Sequence, residues 1–193
     1  MKKQLILLTA FAFTSLLAIG QTNYDSFNGG PKHVRYIMKT GKSNLSSLKV
    51  ANPKKDKVNP SDSCLQYVRK SNEKYDFLKM NVVGKLVDVT PYVEGVKKMT
   101  MLVHSPAAGI TFEIFLQEAT LAEQDYPKGR HSGYKAVTTE ENKWELLTFE
   151  YVFQPDETVD AKKINQILLQ VAGGTSDGGT YYIDDLTGPN IAK

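Results

Sequence analysis

Cysteine is almost missing from this chain: Cys64 is the only one. A lone thiol closes no intrachain disulfide, so the fold has to rest on its apolar core, with or without help from a metal. The stretch around it, "SCLQYVR", reads as a strand, where a small buried hydrophobe is the expected use of the thiol. Tryptophan is as scarce, with Trp144 alone. The three histidines, His33, His104 and His131, stand too far apart for zinc-ligand spacing. No G-x-S-x-G elbow and no glycine-rich loop opening a helix occur, which leaves neither a serine-hydrolase signature nor a phosphate cradle. After residue 20 there is no long hydrophobic run, so no membrane-spanning helix is expected.

The one apolar run lies at the start. "MKKQLILLTAFAFTSLLAIG" (1–20) carries Lys2 and Lys3, then an apolar stretch from Leu5 to Leu17, then small residues at Ala18 and Gly20. That is the pattern of a secretory signal peptide cut before Gln21, and it predicts export to the periplasm, the cell surface or the medium. The other 173 of the 193 residues, 21–193, are read as one domain with room for a sizeable core. Loss of the two lysines takes the formal charge from +3 to +1. A near-neutral chain makes no case for nucleic acid, and "PKKDK" at 53–57 is short enough to be a solvated loop.

Period-two alternation dominates residues 21–193, and helical periodicity is nearly absent from them. Clear strands are "CLQYVR" (64–69), "KMTMLVHS" (98–105), "ITFEIFLQE" (110–118), "YKAVTT" (134–139), "WELLTFEYVF" (144–153), "NQILLQVA" (165–172) and "TYYIDDL" (180–186). Weaker ones are "VRYIMK" (34–39), "SLKVAN" (47–52) and "YDFLKM" (75–80). "SPAAG" (105–109) and "EENK" (140–143) are expected to be hairpin turns, and Thr90 to cap a short helical turn begun by Pro91. The segment 119–134 reads as one long loop, a place where function concentrates. The pattern as a whole predicts an all-β, antiparallel β-sandwich.

Alternation also splits each strand into two faces. Ile110, Phe112, Ile114 and Leu116 oppose Thr111, Glu113, Phe115 and Gln117; Ile167, Leu169 and Val171 oppose Gln166, Leu168 and Gln170. The second face mixes amides, a carboxylate and large apolar groups, unlike a surface that only meets water. Asp184 and Asp185 are adjacent in a strand and therefore point to opposite faces. Two acids that share one scissile bond must face each other across about 5 to 9 Å, so this pair is not a catalytic dyad.

Four stretches together, "VANPKKDKVNPSDSCLQYVR" (50–69), "MTMLVHSPAAGITFEIFLQ" (99–117), "YKAVTTEENKWELLTFEY" (134–151) and "GGTYYIDDLTGP" (178–189), resemble the bacterial carbohydrate-binding modules of the galactose-binding-like jelly-roll superfamily. The likeness covers essentially the whole of 21–193 and lies in the order and spacing of the stretches. It implies a jelly-roll sandwich that binds a polysaccharide or cell-surface glycan without cleaving it, alone or beside a separate carbohydrate-active enzyme or surface protein. It also implies a structural calcium ion, with Asp184 as a ligand. The N-terminal partner in this pattern is an acid after a Phe; here that place is Asn28, with Asp25 nearby to compensate. Trp144 is expected to pack at a strand start rather than to serve as a sugar platform.

Sugar recognition needs an aromatic plane beside planar polar groups that pair with vicinal hydroxyls. Two sets have that composition: Tyr67, Arg69, Glu113, Phe115, Gln117, Gln166 and Gln170 on strands, and Tyr126, Arg130, His131 and Tyr134 in the loop. Two other classes of function fit less well. A β-sandwich hydrolase or lyase would need opposed acids, or a Tyr/His and Arg cluster, in one groove, for which His131 with Tyr134 and Arg130 is the cluster to test; a protein-assembly module would show a contiguous apolar patch.

Overall fold

The computed structural model describes residues 20–37 and 48–192. The signal-peptide reading, apart from Gly20, lies outside the described residues, as do the ends of two expected strands at Met38, Lys39 and Ser47. In chain order the elements are β1 (Thr22–Asn23), β2 (Val34–Ile37), β3 (Val50–Ala51), β4 (Ser63–Arg69), β5 (Phe77–Val82), β6 (Lys85–Leu86) and a one-turn helix α1 (Thr90–Val93). Then come β7 (Met99–His104), β8 (Thr111–Gln117), a 3-10 turn (Leu121–Glu123), β9 (Arg130–Val137), β10 (Trp144–Phe153), β11 (Gln166–Val171), β12 (Gly179–Gly188) and β13 (Ile191–Ala192).

All strand pairs are antiparallel, in the order β2-β5-β11-β8-β9-β10-β7-β12-β4-β3, with β1 beside β12 and a separate β6–β13 ribbon. The long β10 belongs to both layers. Its first half, Trp144 to Phe149, pairs with β7, and its end, from Glu150, pairs with β9. The sheet thus curls over into the two layers of a jelly-roll sandwich.

Between the layers, Phe112, Ile114 and Leu116 of β8 and Ile167, Leu169 and Val171 of β11 are buried with Leu65, Met101, Val103 and Ile183 from the opposite layer. The Phe112 and Tyr181 rings meet edge to face across the core, 5.7 Å apart. The expected faces of β8 and β11 hold. Trp144 is buried in a smaller cluster with Cys64 and Leu102, and its indole N–H donates to Asn52 Oδ1 at 3.0 Å. Burial pushes the Cys64 thiol up to about 12, so it behaves as a hydrophobe, as expected.

Three expectations need correction. Residues 105–109 do not close a hairpin: β7 and β8 lie in different layers, and the segment crosses between them. Nor is 140–143 a tight hairpin turn, because the chain leaving it pairs first with β7. Thr90 does not cap α1 but is its first residue, its own N–H held by the Asp88 carboxylate at 2.9 Å, and Pro91 stands second, still within the first turn.

Tyr67 and Arg69 face inward with Leu65. The Tyr67 hydroxyl donates to buried Asp76 at 2.6 Å. Arg69 is 2% exposed, and its Nη2 reaches the carbonyls of Glu73, Ala172 and Thr175 at 2.6, 3.1 and 3.0 Å. One guanidinium therefore ties the 70–76 loop to the 172–178 loop. Replacing it by alanine removes these three hydrogen bonds and opens a cavity, so Arg69→Ala is expected to cost about 3 kcal/mol. Urea unfolding checks this, and a midpoint within error of the wild type would refute the role.

Candidate functional site: a groove on the concave sheet

The face of β8 and β11 turned away from the core is not flat surface but the floor of an open groove of about 580 Å³. Opposite residues of antiparallel strands share a face, so Phe77, Gln170 and Glu113 lie in one row across β5, β11 and β8, and Leu168 and Phe115 in the next. All five line the groove. The row beyond holds Asn81, Gln166 and Gln117, joined by side-chain amides. Gln117 Nε2 donates to Gln166 Oε1, and Gln166 Nε2 donates to Asn81 Oδ1 at 2.6 Å. This ladder fixes the polar end of the floor.

Two bulges bring in further side chains. Strict alternation along β10 would put Phe153 on the core side with Leu147 and Phe149. A register shift between Tyr151 and Phe153 instead sets Phe153 opposite Gly133, on the groove side. There its ring meets Phe115 edge to face at 6.2 Å. Gly133 is needed below them, since a Cβ at that position would stand 3.1 Å from both rings. A second shift, between Leu116 and Gln117, pairs Gln117 with Arg130 and leaves His131 as the extra residue. Arg130 accordingly lines the groove while His131 is buried, its Nδ1 without a partner among the described residues. Burial lowers the His131 and Arg130 pKa values.

Two exposed rings form the rim. Tyr126 is 59% exposed and carries the Arg130 guanidinium 5.2 Å over its ring centre. Tyr75 is 65% exposed and sits on the loop that Arg69 and the Tyr67–Asp76 bond anchor. The groove therefore presents five aromatic rings, one carboxylate, one carboxamide and one guanidinium. The Nε2 of that carboxamide, Gln170, has no partner among the described residues.

Of the eleven sugar-contact candidates, Glu113, Phe115, Tyr126, Arg130 and Gln170 meet in this groove, so the strand set and the loop set converge on one place. Gln117 and Gln166 lie on the same face in the amide ladder. Tyr67, Arg69, His131 and Tyr134 lie elsewhere. The Tyr134 ring is in the core, edge to face with Tyr151, and burial pushes its hydroxyl well up from the ordinary tyrosine value. The 119–134 loop is shorter than expected, because β9 already begins at Arg130. Four lining residues were not among the candidates: Tyr75, Phe77, Phe153 and Leu168. Leu168 was detectable, since alternation puts it between Gln166 and Gln170. Phe153 was not, since only the bulge turns it outward.

The metal candidates divide similarly. Asp25 and Asp184 line one cavity of about 10 Å³, about the space of a single water. Asp25 Oδ2 is buried without a hydrogen-bond partner among the described residues, with Lys32 Nζ 3.7 Å away. Asp184 is fully buried; Oδ1 accepts from the Asp185 N–H at 3.0 Å and Oδ2 from Asn59 Nδ2 at 3.2 Å. Burial, with Asp185 nearby, pushes its carboxyl up to about 6. Asn28 is exposed, and its Oδ1 accepts from the N–H groups of Asp62 and Ser63 instead. Among the described residues no three His, Cys, Asp or Glu side chains gather at one point. Asp185 is engaged separately, by Asn23 Nδ2 at 2.6 Å.

No protein-family model matches the chain, and no curated protein does. Solved structures do. The family 11 carbohydrate-binding module of Clostridium thermocellum, in complex with a β-1,3-1,4-mixed-linked tetrasaccharide, matches 91% of this chain over 99% of its own at a TM-score of 0.56 and 14% identity. A family 30 carbohydrate-binding module matches 83% over 90% of its own, at 0.51 and 12%. An arabinose-bound α-L-arabinofuranosidase matches 86% of this chain with 25% of its own, at 0.55 and 14%. The fold is that of the β-sandwich carbohydrate-binding modules.

In that fold Asp184 is a titration probe of the sandwich. Its folded value of about 6 lies above the unfolded value of about 3.9, so the folded state holds the proton more tightly. The stability it contributes is complete below about pH 4 and is lost as pH rises through about 6. Asp184→Asn, neutral at every pH, is expected to flatten the fall in melting temperature between pH 4 and pH 7. Parallel profiles for the two proteins would contradict this.

Proposed function

We propose that the protein is an exported, non-catalytic glycan-binding module that holds a polysaccharide chain in the concave groove. The observation that carries this reading is the composition of the groove: the rings of Phe77, Phe115 and Phe153 beside Glu113, Gln170 and Arg130, with Tyr75 and Tyr126 at the rim. An aromatic face takes the apolar face of a sugar ring, and carboxylate, amide and guanidinium each offer paired hydrogen bonds to vicinal hydroxyls. The fold supports it, since a module of the same fold was solved with a tetrasaccharide. Binding without cleavage is supported by the carboxylates available. Glu113 is the only acid among the described residues lining the groove, whereas glycoside hydrolysis generally uses two.

In this reading Asp25 and Asp184 would hold a structural calcium ion, completed by backbone carbonyls as hard-cation sites commonly are. Such an ion would favour the ionised Asp184 and reverse the pH trend described above. Calcium is then expected to raise the melting temperature of the wild type at pH 7, with a chelator undoing the gain and Asp184→Asn abolishing it. No calcium effect on the wild type would remove the ion from the proposal and leave the groove untouched.

The groove itself is tested by incubating residues 21–193 with a panel of soluble and insoluble polysaccharides while following the release of reducing ends or unsaturated products. Retention without release is expected. Phe115→Ala should weaken binding about tenfold or more, as loss of a central anchoring ring does. Product release would make the protein an enzyme, and no retention on any glycan would refute the reading.

A further inference from the structure

The aromatic hollow is part of a longer concave face whose charge is one-sided. Strand register puts Lys79 opposite Leu168, and Lys135 opposite Glu113. In the amide row, Arg35 stands opposite Asn81 at one end and Arg130 opposite Gln117 at the other. All four cations therefore share the groove's face. Their counter-charges do not match them. Glu113 faces Lys135, and Glu150, the next acid on this face, is ion-paired with Lys98. Among the described residues no carboxylate lies within 4.0 Å of Arg35, Lys79, Arg130 or Lys135. Among the described residues the Arg130 guanidinium donates to the Lys128 carbonyl, at 3.3 Å, and lies over the Tyr126 ring.

Setting the four cations against Glu113 and Glu150, which both stand opposite Lys135, leaves two positive charges in excess on one face of a chain whose residues 21–193 carry only +1 in total. The arrangement is also extended. Arg35 and Arg130 are separated by four strand spacings, about 19 Å at about 4.8 Å each. Arg35 opens onto a second hollow, about 350 Å³, with Asn81 and Asn165, on the far side of the amide ladder from the aromatic groove. A chain lying across the strands along this row would pass the amides of Asn81, Gln166 and Gln117 between a cation at either end, with the Phe115 and Phe153 rings in the adjacent row.

We infer that the groove is selective for an acidic polysaccharide, one whose units carry carboxylate or sulfate groups. The inference rests on the glycan-groove reading and goes further in naming the class of chain. Rings and amides hold the sugar backbone, and the unpaired cations meet the anionic substituents, which a neutral glucan would leave solvated.

The test is titration of residues 21–193 with polygalacturonate, its carboxyl-reduced derivative, a sulfated galactan and a neutral mixed-linkage β-glucan. At least one polyanion is expected to bind, and carboxyl against sulfate is read from which one. If polygalacturonate binds, carboxyl reduction should weaken it about tenfold or more. Raising ionic strength from about 0.1 to 1 M shortens the Debye length from about 10 to 3 Å and should cost a similar factor. Arg35→Gln and Lys79→Gln, both outside the aromatic hollow, should each weaken polyanion binding about two- to fivefold with no change in melting temperature.

Equal, salt-insensitive binding of the neutral β-glucan overturns the inference while leaving the groove reading intact. Polyanion binding that survives Phe115→Ala undiminished overturns it as well, since that is ion exchange on the surface and not recognition in the groove. Failure to bind any of the four overturns the inference, while the groove reading is decided separately by the wider polysaccharide panel.

Discussion

The pleat of β8 and β11 is the constraint that governs both the core and the groove. These two central strands have no free face: one lines the core and the other floors the groove. A slip of one residue would carry Glu113 and Gln170 into the apolar interior and bring Phe112 and Leu169 out, at the cost of burying an unpaired charge. The core therefore sets the register, and the register sets which side chains meet in the groove. Phe115 lies beside Leu168, and Glu113 beside Gln170, because Ile114 and Leu169 must pack on the other side.

Bulges supply what strict alternation cannot. Two shifts, one in β9 against β8 and one in β10 against β9, rotate Arg130 and Phe153 onto the groove face. Each inserts one extra residue, which bends the strand and increases its local twist. The Gly133 position belongs to the same device. Without a side chain there, the Phe115 and Phe153 rings close over the backbone and form a continuous apolar floor.

These features mark how much the sequence could convey. Long alternating segments such as 110–118, 144–153 and 165–172 announce both strand and face, because burial on one side leaves a period of two. The two-residue pairings β1, β6 and β13 are too short to carry any period. Glu113, Phe115 and Gln170 were legible from alternation alone. Tyr67 and Arg69 were not separable from them, since a strand lists its two faces without saying which is inward. It took the sandwich to show that Tyr67 and Arg69 face the core side, where Asp76 and a set of carbonyls receive their polar atoms. Arg130 and Tyr126 were legible as a composition, whereas the place they share with the strand residues depends on a bulge.

Tyr67 and Arg69, although buried, still bear on the groove. By holding the 70–76 loop they fix the base from which Tyr75 projects, and by holding the 172–178 loop they fix the backbone beside Gln170. The floor is thus built from side chains locked by packing or by the amide ladder, and the rim from exposed rings on anchored loops. Ordering a side chain on binding costs about 0.5 to 1.5 kcal/mol, so a floor already ordered offsets little of the energy of contact, whereas Tyr75 and Tyr126 must give up their freedom. A ligand recognised by such a surface gains its geometry from the floor and only part of its affinity from the rim. Contacts that form at long range and need no ordered ring, those between charges, would then carry more of the discrimination than their individual strength suggests.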